Sequence, residues 1–120
     1  MVDTTSIRPL DELEVLTEAE LEHIIEKEPA NADNARYTLG RLQIEGTFPE
    51  AVPRNEKKGI NWIKTAVKNG NMPATEFKVY YDIRFARAPD LKKIEQTLHF
   101  IAEKGNSTRA YNTLAEFAHA

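Results

Sequence analysis

The sequence contains no cysteine. That excludes a disulfide framework, a thiolate zinc site and a cysteine nucleophile. Long apolar runs are missing too: nothing approaches the roughly 18 consecutive residues that span a bilayer, and residues 1–10 hold no signal-like apolar core. The expectation is a soluble, cytoplasmic protein without a membrane partner. Positive charge is not in excess, since 16 Lys and Arg stand against 19 Asp and Glu, a formal net charge of -3 with a pI near 5.6. A protein that tracks phosphates carries a basic stripe or a basic domain, so no nucleic-acid partner is expected. Glycine and serine are scarce. No phosphate-cradling glycine loop, nucleophile elbow or zinc-ligand pair can be found. Neither Ser6 nor Ser107 is followed by a motif, and no hydrolase triad can be assembled from Ser107. These absences point away from an enzyme and from any cofactor or metal.

What remains is a chain of 120 residues, long enough for one domain, with 41% apolar and 29% charged residues, which lies outside the disordered regime. Its apolar spacing is that of helices throughout. Thr17 followed by Glu20 is a capping box opening a helix with Leu21, Ile24 and Ile25, which Pro29 stops. Ala35, Leu39, Leu42 and Gly46 mark the next helix and its end. The stretch 46–53, with two prolines and a glycine, reads as a loop. Asn55 is placed to cap a helix carrying Ile60, Ile63 and Val67, and Gly70 to end it in the left-handed conformation. Pro73 suits the first turn of a helix through Phe77 and Tyr80. Asp90 opens a further helix with Leu91, Ile94, Leu98 and Ile101 on one face and Gly105 at its close. No segment alternates with period 2 for long enough to form a sheet. The fold class is all-α.

An internal echo runs through these helices. Asn55, Lys58, Trp62, Gly70 and Asn71 recur as Asp90, Lys93, Thr97, Gly105 and Asn106, each displaced by 35 positions. A third partial copy starts at Ala110. A period in the mid-thirties is that of a helix-turn-helix repeat. The segment Ala35-Arg-Tyr37-Thr-Leu39-Gly40-Arg-Leu42, the loop ending Val52-Pro53, then Trp62 and the final Gly70-Asn71 together resemble the Sel1-like repeats, relatives of tetratricopeptide repeats. The second copy departs from that pattern, with Thr97 in place of the tryptophan and Val79 in place of the helix glycine.

The resemblance implies a short right-handed α-solenoid of about six or seven helices in a single domain. Residues 1–16 would be a polar entry segment and 17–34 an N-terminal helix. The first repeat would span 35–73, a second, degenerate one 74–109, and a capping half-repeat 110–120. Gly40 and Gly59 fall inside helices, where each costs about 1 kcal/mol relative to alanine, so close helix packing is the expected reason for them. Trp62 is expected in the core, filling the volume between helix pairs.

In this family register a groove lined by the first helix of each hairpin would hold a protein or peptide. Tyr37, Arg41 and Ile44 would come from one helix, Glu76, Tyr80 and Arg84 from the next, and Asn112 and Glu116 from the last. Tyrosine and arginine are residue types in which interfaces concentrate their energy. The expected function is a non-enzymatic adaptor, assembly factor or regulator. The alternative is an immunity protein or inhibitor that neutralises a cognate, basic toxin or enzyme. Glu18, Glu22 and Glu26, at i, i+4 spacing, form an acidic stripe that reads as a solvated face or as a docking strip for a basic partner. Two E-x-x-H patterns, Glu20 with His23 and Glu116 with His119, are half of a di-iron site. The prolines cut the chain into helices too short for that geometry. In the last helix Tyr111, Ala115 and Ala118 form a second apolar stripe beside Ala110, Leu114 and Phe117, which points to a weak homodimer or a partner contact there.

Overall fold

A computed structural model of the chain describes residues 7–118, with side chains through Glu116. Among these residues there are seven α-helices and no strand: α1 (Leu10–Leu13), α2 (Glu18–Lys27), α3 (Pro29–Glu45), α4 (Glu56–Lys68), α5 (Met72–Phe85), α6 (Leu91–Lys104) and α7 (Thr108–Ala118). None is long and apolar enough to cross a membrane. The helices fall into two compact units that divide between Ala74 and Thr75.

Local chemistry sets most of the helix ends. The Thr17 hydroxyl accepts from the Glu20 amide at 3.2 Å, and the Glu20 carboxylate accepts from the Thr17 amide at 3.0 Å, completing the capping box. Glu28 precedes a proline, which excludes the helical basin, and it sits at φ -123, ψ 82. Pro29 then starts α3, so the expected boundary between 34 and 35 lies inside a helix. Asn55 caps α4 by accepting from the Lys58 amide at 3.2 Å, and Asp90 caps α6 through the Lys93 amide at 3.1 Å.

The two echoed helices end differently. After α4, Gly70 takes φ 85, and the amides of Gly70 and Asn71 reach back to the carbonyls of Val67 and Ala66 at 3.0 and 2.9 Å, a Schellman closure. After α6, Gly105 stays right-handed at φ -90 and Asn106 takes the positive φ of 56. Asparagine tolerates that basin better than other residues with a side chain. The helix is thereby one residue longer than its counterpart, and the 35-residue echo slips by one at its end. Asn71 also explains itself locally. Its side-chain Nδ2 donates to Oδ1 of Asn34 at 2.8 Å, and its Oδ1 accepts from the Ala74 backbone amide at 2.9 Å in the first turn of α5.

In the first unit the core joins Leu13 of α1, Leu21 and Ile24 of α2, Ala35, Leu39 and Leu42 of α3, and Val52 from the proline-containing loop. α3 packs against both α2 and α4 and is buried over most of its circumference. The loop is pinned, because the Ala51 carbonyl accepts from the Glu18 amide at 3.0 Å at the open end of α2. The segment before Thr17 is more than the polar entry its charges suggest. Leu13 is fully buried. Arg8 donates from Nε and Nη2 to the two carboxylate oxygens of Glu28, both at 2.9 Å. Its backbone amide donates to Oδ1 of Asn31 at 2.8 Å, and Nδ2 of that buried Asn31 donates to Glu28 at 3.0 Å. The Arg8 interactions hold the Glu28 carboxyl below the usual range, opposed by partial burial and helped by Asn31.

In the second unit α6 and α7 pack together. Ile94, Leu98 and Ile101 are buried on one face of α6, as their spacing requires, together with Ala102 and with Ala110 of α7. Leu91, expected on that face, is instead exposed at the first position of the helix. The Ser107 hydroxyl accepts from the Ala110 amide at 3.1 Å and opens α7.

Candidate protein-binding surface

The eight residues expected to line a groove divide between the units. In the first, the Arg41 guanidinium lies 5.7 Å from the centroid of the Tyr37 ring. Its Nη1 donates to Glu45 at 3.0 Å and its Nη2 to Glu14. Arg41 is therefore engaged within the chain rather than held out to a ligand. Burial pushes the Tyr37 phenol above its ordinary pKa, with the Arg41 charge pulling the other way. Ile44 does not face a groove. It is 9% exposed, and its Cγ1 lies against α4 where a β-carbon on Gly59 would be 2.8 Å away. The reason is register: Gly40, Gln43 and Ile44 all belong to the α3–α4 contact.

In the second unit the Arg109 guanidinium lies 3.7 Å from the centroid of the Tyr80 ring. The Tyr80 hydroxyl is buried and has no hydrogen-bond partner among the described residues. The Tyr80–Arg109 pairing was not expected, and nothing in the local sequence marks a contact between residues on α5 and α7. Glu76 is half-buried, while Arg84, Asn112 and Glu116 are exposed. The Arg84 guanidinium lies 5.3 Å from the centroid of its neighbour Phe85. The rings of Tyr81 and Phe85 meet at 5.0 Å between centroids.

Among the described residues, large exposed apolar side chains occur in both units: Ile7, Val15 and Phe48 in the first, and five more in the second. Ile83 (36%), Phe85 (58%), Leu91 (61%), Phe100 (49%) and Tyr111 (54%) all lie open to solvent. Sequence spacing singled out only Tyr111. The others sit on helix positions whose exposure depends on which neighbours arrive.

The acidic stripe on α2 is interrupted. Glu18 is half-buried and accepts from Nε2 of the buried Gln43 at 2.8 Å, whereas Glu22 and Glu26 are exposed. Glu22 lines a cleft of about 260 Å³ with Lys58, Asn61, Trp62 and Thr65 of α4. Trp62 is half-buried: it packs against the first unit's core, as expected of it, but also lines that cleft and is not fully enclosed. A second cleft, of about 320 Å³, opens between Arg8, Leu16, His23 and Glu28. Among the described residues no group of three or more His, Asp or Glu side chains is placed to hold a metal ion. Glu20 is committed to its capping box, and His119, like the side chains of Phe117 and Ala118, lies outside the described residues.

No protein-family model matches this chain, and no curated protein and no solved structure matches it either.

Proposed function

We propose that the chain is a non-enzymatic protein-binding module of the Sel1-like kind, a cytoplasmic adaptor, assembly factor or regulator whose helix pairs stack as a short right-handed solenoid. The observation that carries the reading is the run of open apolar side chains in the second unit: Ile83, Phe85, Leu91, Phe100 and Tyr111. A contiguous apolar patch marks a surface that other proteins cover, and in this proposal these side chains form one. Aromatic residues and arginine, here Phe85 beside Arg84, are the types enriched at such interfaces. The close α3–α4 approach at Gly40 and Gly59 supports the family reading, since small residues in a repeat exist to let helices meet. In this proposal Arg84, Asn112 and Glu116 contact a protein or peptide partner directly. Tyr80, under Arg109, and Glu76 support them, and Tyr37 and Arg41 form a braced wall in the first unit.

The rival reading, an inhibitor of a basic toxin or enzyme, draws on the exposed Glu22 and Glu26. Affinity purification with mass spectrometry, comparing the tagged wild type with an Arg84→Glu/Phe85→Glu double variant of unchanged helix content, tests the first reading. A partner recovered only by the wild type supports it, and the same partners on both proteins overturn it. One basic partner, held in a nanomolar and salt-sensitive complex through Glu22 and Glu26, would favour the rival.

A further inference from the structure

The cleft between α2 and α4 has a composition that the apolar surface of the second unit does not explain. Its floor is Trp62, which turns part of its indole to the core and leaves part open. Its α2 rim is Glu22, exposed, with no cation in ion-pair contact among the described residues. The Thr65 hydroxyl donates to the Asn61 backbone carbonyl at 3.1 Å, which commits its proton and leaves its lone pairs to accept. Asn61 adds a side-chain carbonyl. An aromatic face, a carboxylate and two neutral acceptors form a set that suits a cation with several N–H donors.

The volume narrows the choice. A cleft of about 260 Å³ has room for a single long side chain. The charge pattern narrows it further. Glu18, Glu22 and Glu26 follow one another at i, i+4 along α2, where like charges repel; Glu18 accepts from Gln43 and Glu26 pairs with Lys27 at 3.7 Å, while Glu22 has no ion pair among the described residues. Lys58 is the one basic group lining the cleft, and it opposes a cation.

We propose that this cleft is a docking site for an arginine side chain of a protein partner, the guanidinium lying over Trp62 and donating to the Glu22 carboxylate. Arginine fits better than lysine because its planar fork stacks on an indole and pairs with a carboxylate at the same time. The site stands apart from the apolar surface of the second unit, and its failure leaves that reading intact.

Trp62 is the sole tryptophan, so its emission reports the cleft without a label. The probe is the blocked tripeptide acetyl-Ala-Arg-Ala-amide, titrated against the full chain beside its lysine, glutamate and citrulline counterparts. Citrulline keeps the shape of arginine and removes the charge. The expected result is a saturable change with the arginine peptide, weaker by roughly two- to fivefold with lysine, and none with citrulline or glutamate. Glu22→Gln should weaken arginine binding by about two- to fivefold, and Lys58→Ala should tighten it. Added salt should weaken it as well. A response of equal size to citrulline overturns the proposal. So does unchanged affinity in a Glu22→Gln protein of native helix content, or tighter binding of the glutamate peptide. If no peptide gives a saturable change, the cleft is not a docking site.

Discussion

The backbone carbonyls of Gly40 and Gly59 each occupy the place where the other residue would need room for a β-carbon. A β-carbon on Gly40 would sit 2.6 Å from the Gly59 oxygen, and one on Gly59 would sit 2.5 Å from the Gly40 oxygen. Both distances are far inside contact, and the obstacle is backbone rather than a side chain that can swing aside. Alanine would favour each isolated helix by about 1 kcal/mol. The clash outweighs this gain, and Gly40→Ala or Gly59→Ala should each destabilise the protein by about 1–3 kcal/mol net. Urea unfolding of the two variants checks this, and a stabilised variant would show that α3 and α4 do not approach so closely.

Burial reverses the order that size alone would give for two core substitutions. Leu39 is fully buried among α2 and α3, while Trp62 is only partly buried and borders its cleft. Leu39→Ala should cost about 3–5 kcal/mol and Trp62→Ala about 2 kcal/mol. Thermal melts of both variants should place Leu39→Ala clearly lower. The opposite order would return Trp62 to the interior.

The Arg8–Glu28–Asn31 cluster ties the segment before α2 to the start of α3, and its strength depends on pH. Glu28 has a folded pKa below that of a free carboxyl, so its contribution is present above the unfolded value of about 4.3 and is lost as pH falls through the folded value. Glu28→Gln should therefore be less stable than wild type at pH 7, with the gap closing progressively below about pH 4. A gap independent of pH would mean that the carboxylate charge contributes nothing. Asn31→Ala, which strands the Arg8 amide and removes a buried donor, should cost about 1–3 kcal/mol at either pH.

Tyr80 buries a hydroxyl that finds no partner among the described residues, while its ring holds Arg109. Removing the hydroxyl loses nothing that is bonded, so Tyr80→Phe should change stability by no more than about 0.5 kcal/mol. Arg109→Ala should cost about 0.5–1 kcal/mol through the lost cation–π contact. A large loss in Tyr80→Phe would show that the hydroxyl is hydrogen-bonded.

Tyr111 is more than half exposed on α7, directly after the fully buried Ala110. A patch of a few side chains supports only weak, concentration-dependent association. Sedimentation over a hundredfold concentration range should show a wild-type dimer at the upper end only, and Tyr111→Glu should remain monomeric throughout. A wild type that is monomeric at every concentration overturns the homodimer.

Local rules were enough to read the helices. Thr17, Asn55 and Asp90 cap because their side chains reach amides three residues on, and such bonds need no distant partner. Spacing put Ala35, Leu39 and Leu42 of α3 and Ile94, Leu98 and Ile101 of α6 on buried faces, and two glycines in mid-helix announced the close α3–α4 approach, because only packing offsets their cost to a helix. Tertiary structure decided what those signals left open. Ile44 and Arg41 were expected in a groove from the resemblance alone, yet one packs on Gly59 and the other is held by Glu14 and Glu45, residues 27 positions before it and four after. Arg8, an ordinary surface charge by sequence, closes on Glu28 because α1 and α2 fold the chain back. Leu91 shares a helical stripe with Ile94 and Leu98 but remains in water, and Trp62 is only partly buried. A stripe specifies which residues share a face; how much of that face is covered depends on neighbours brought in from elsewhere in the chain.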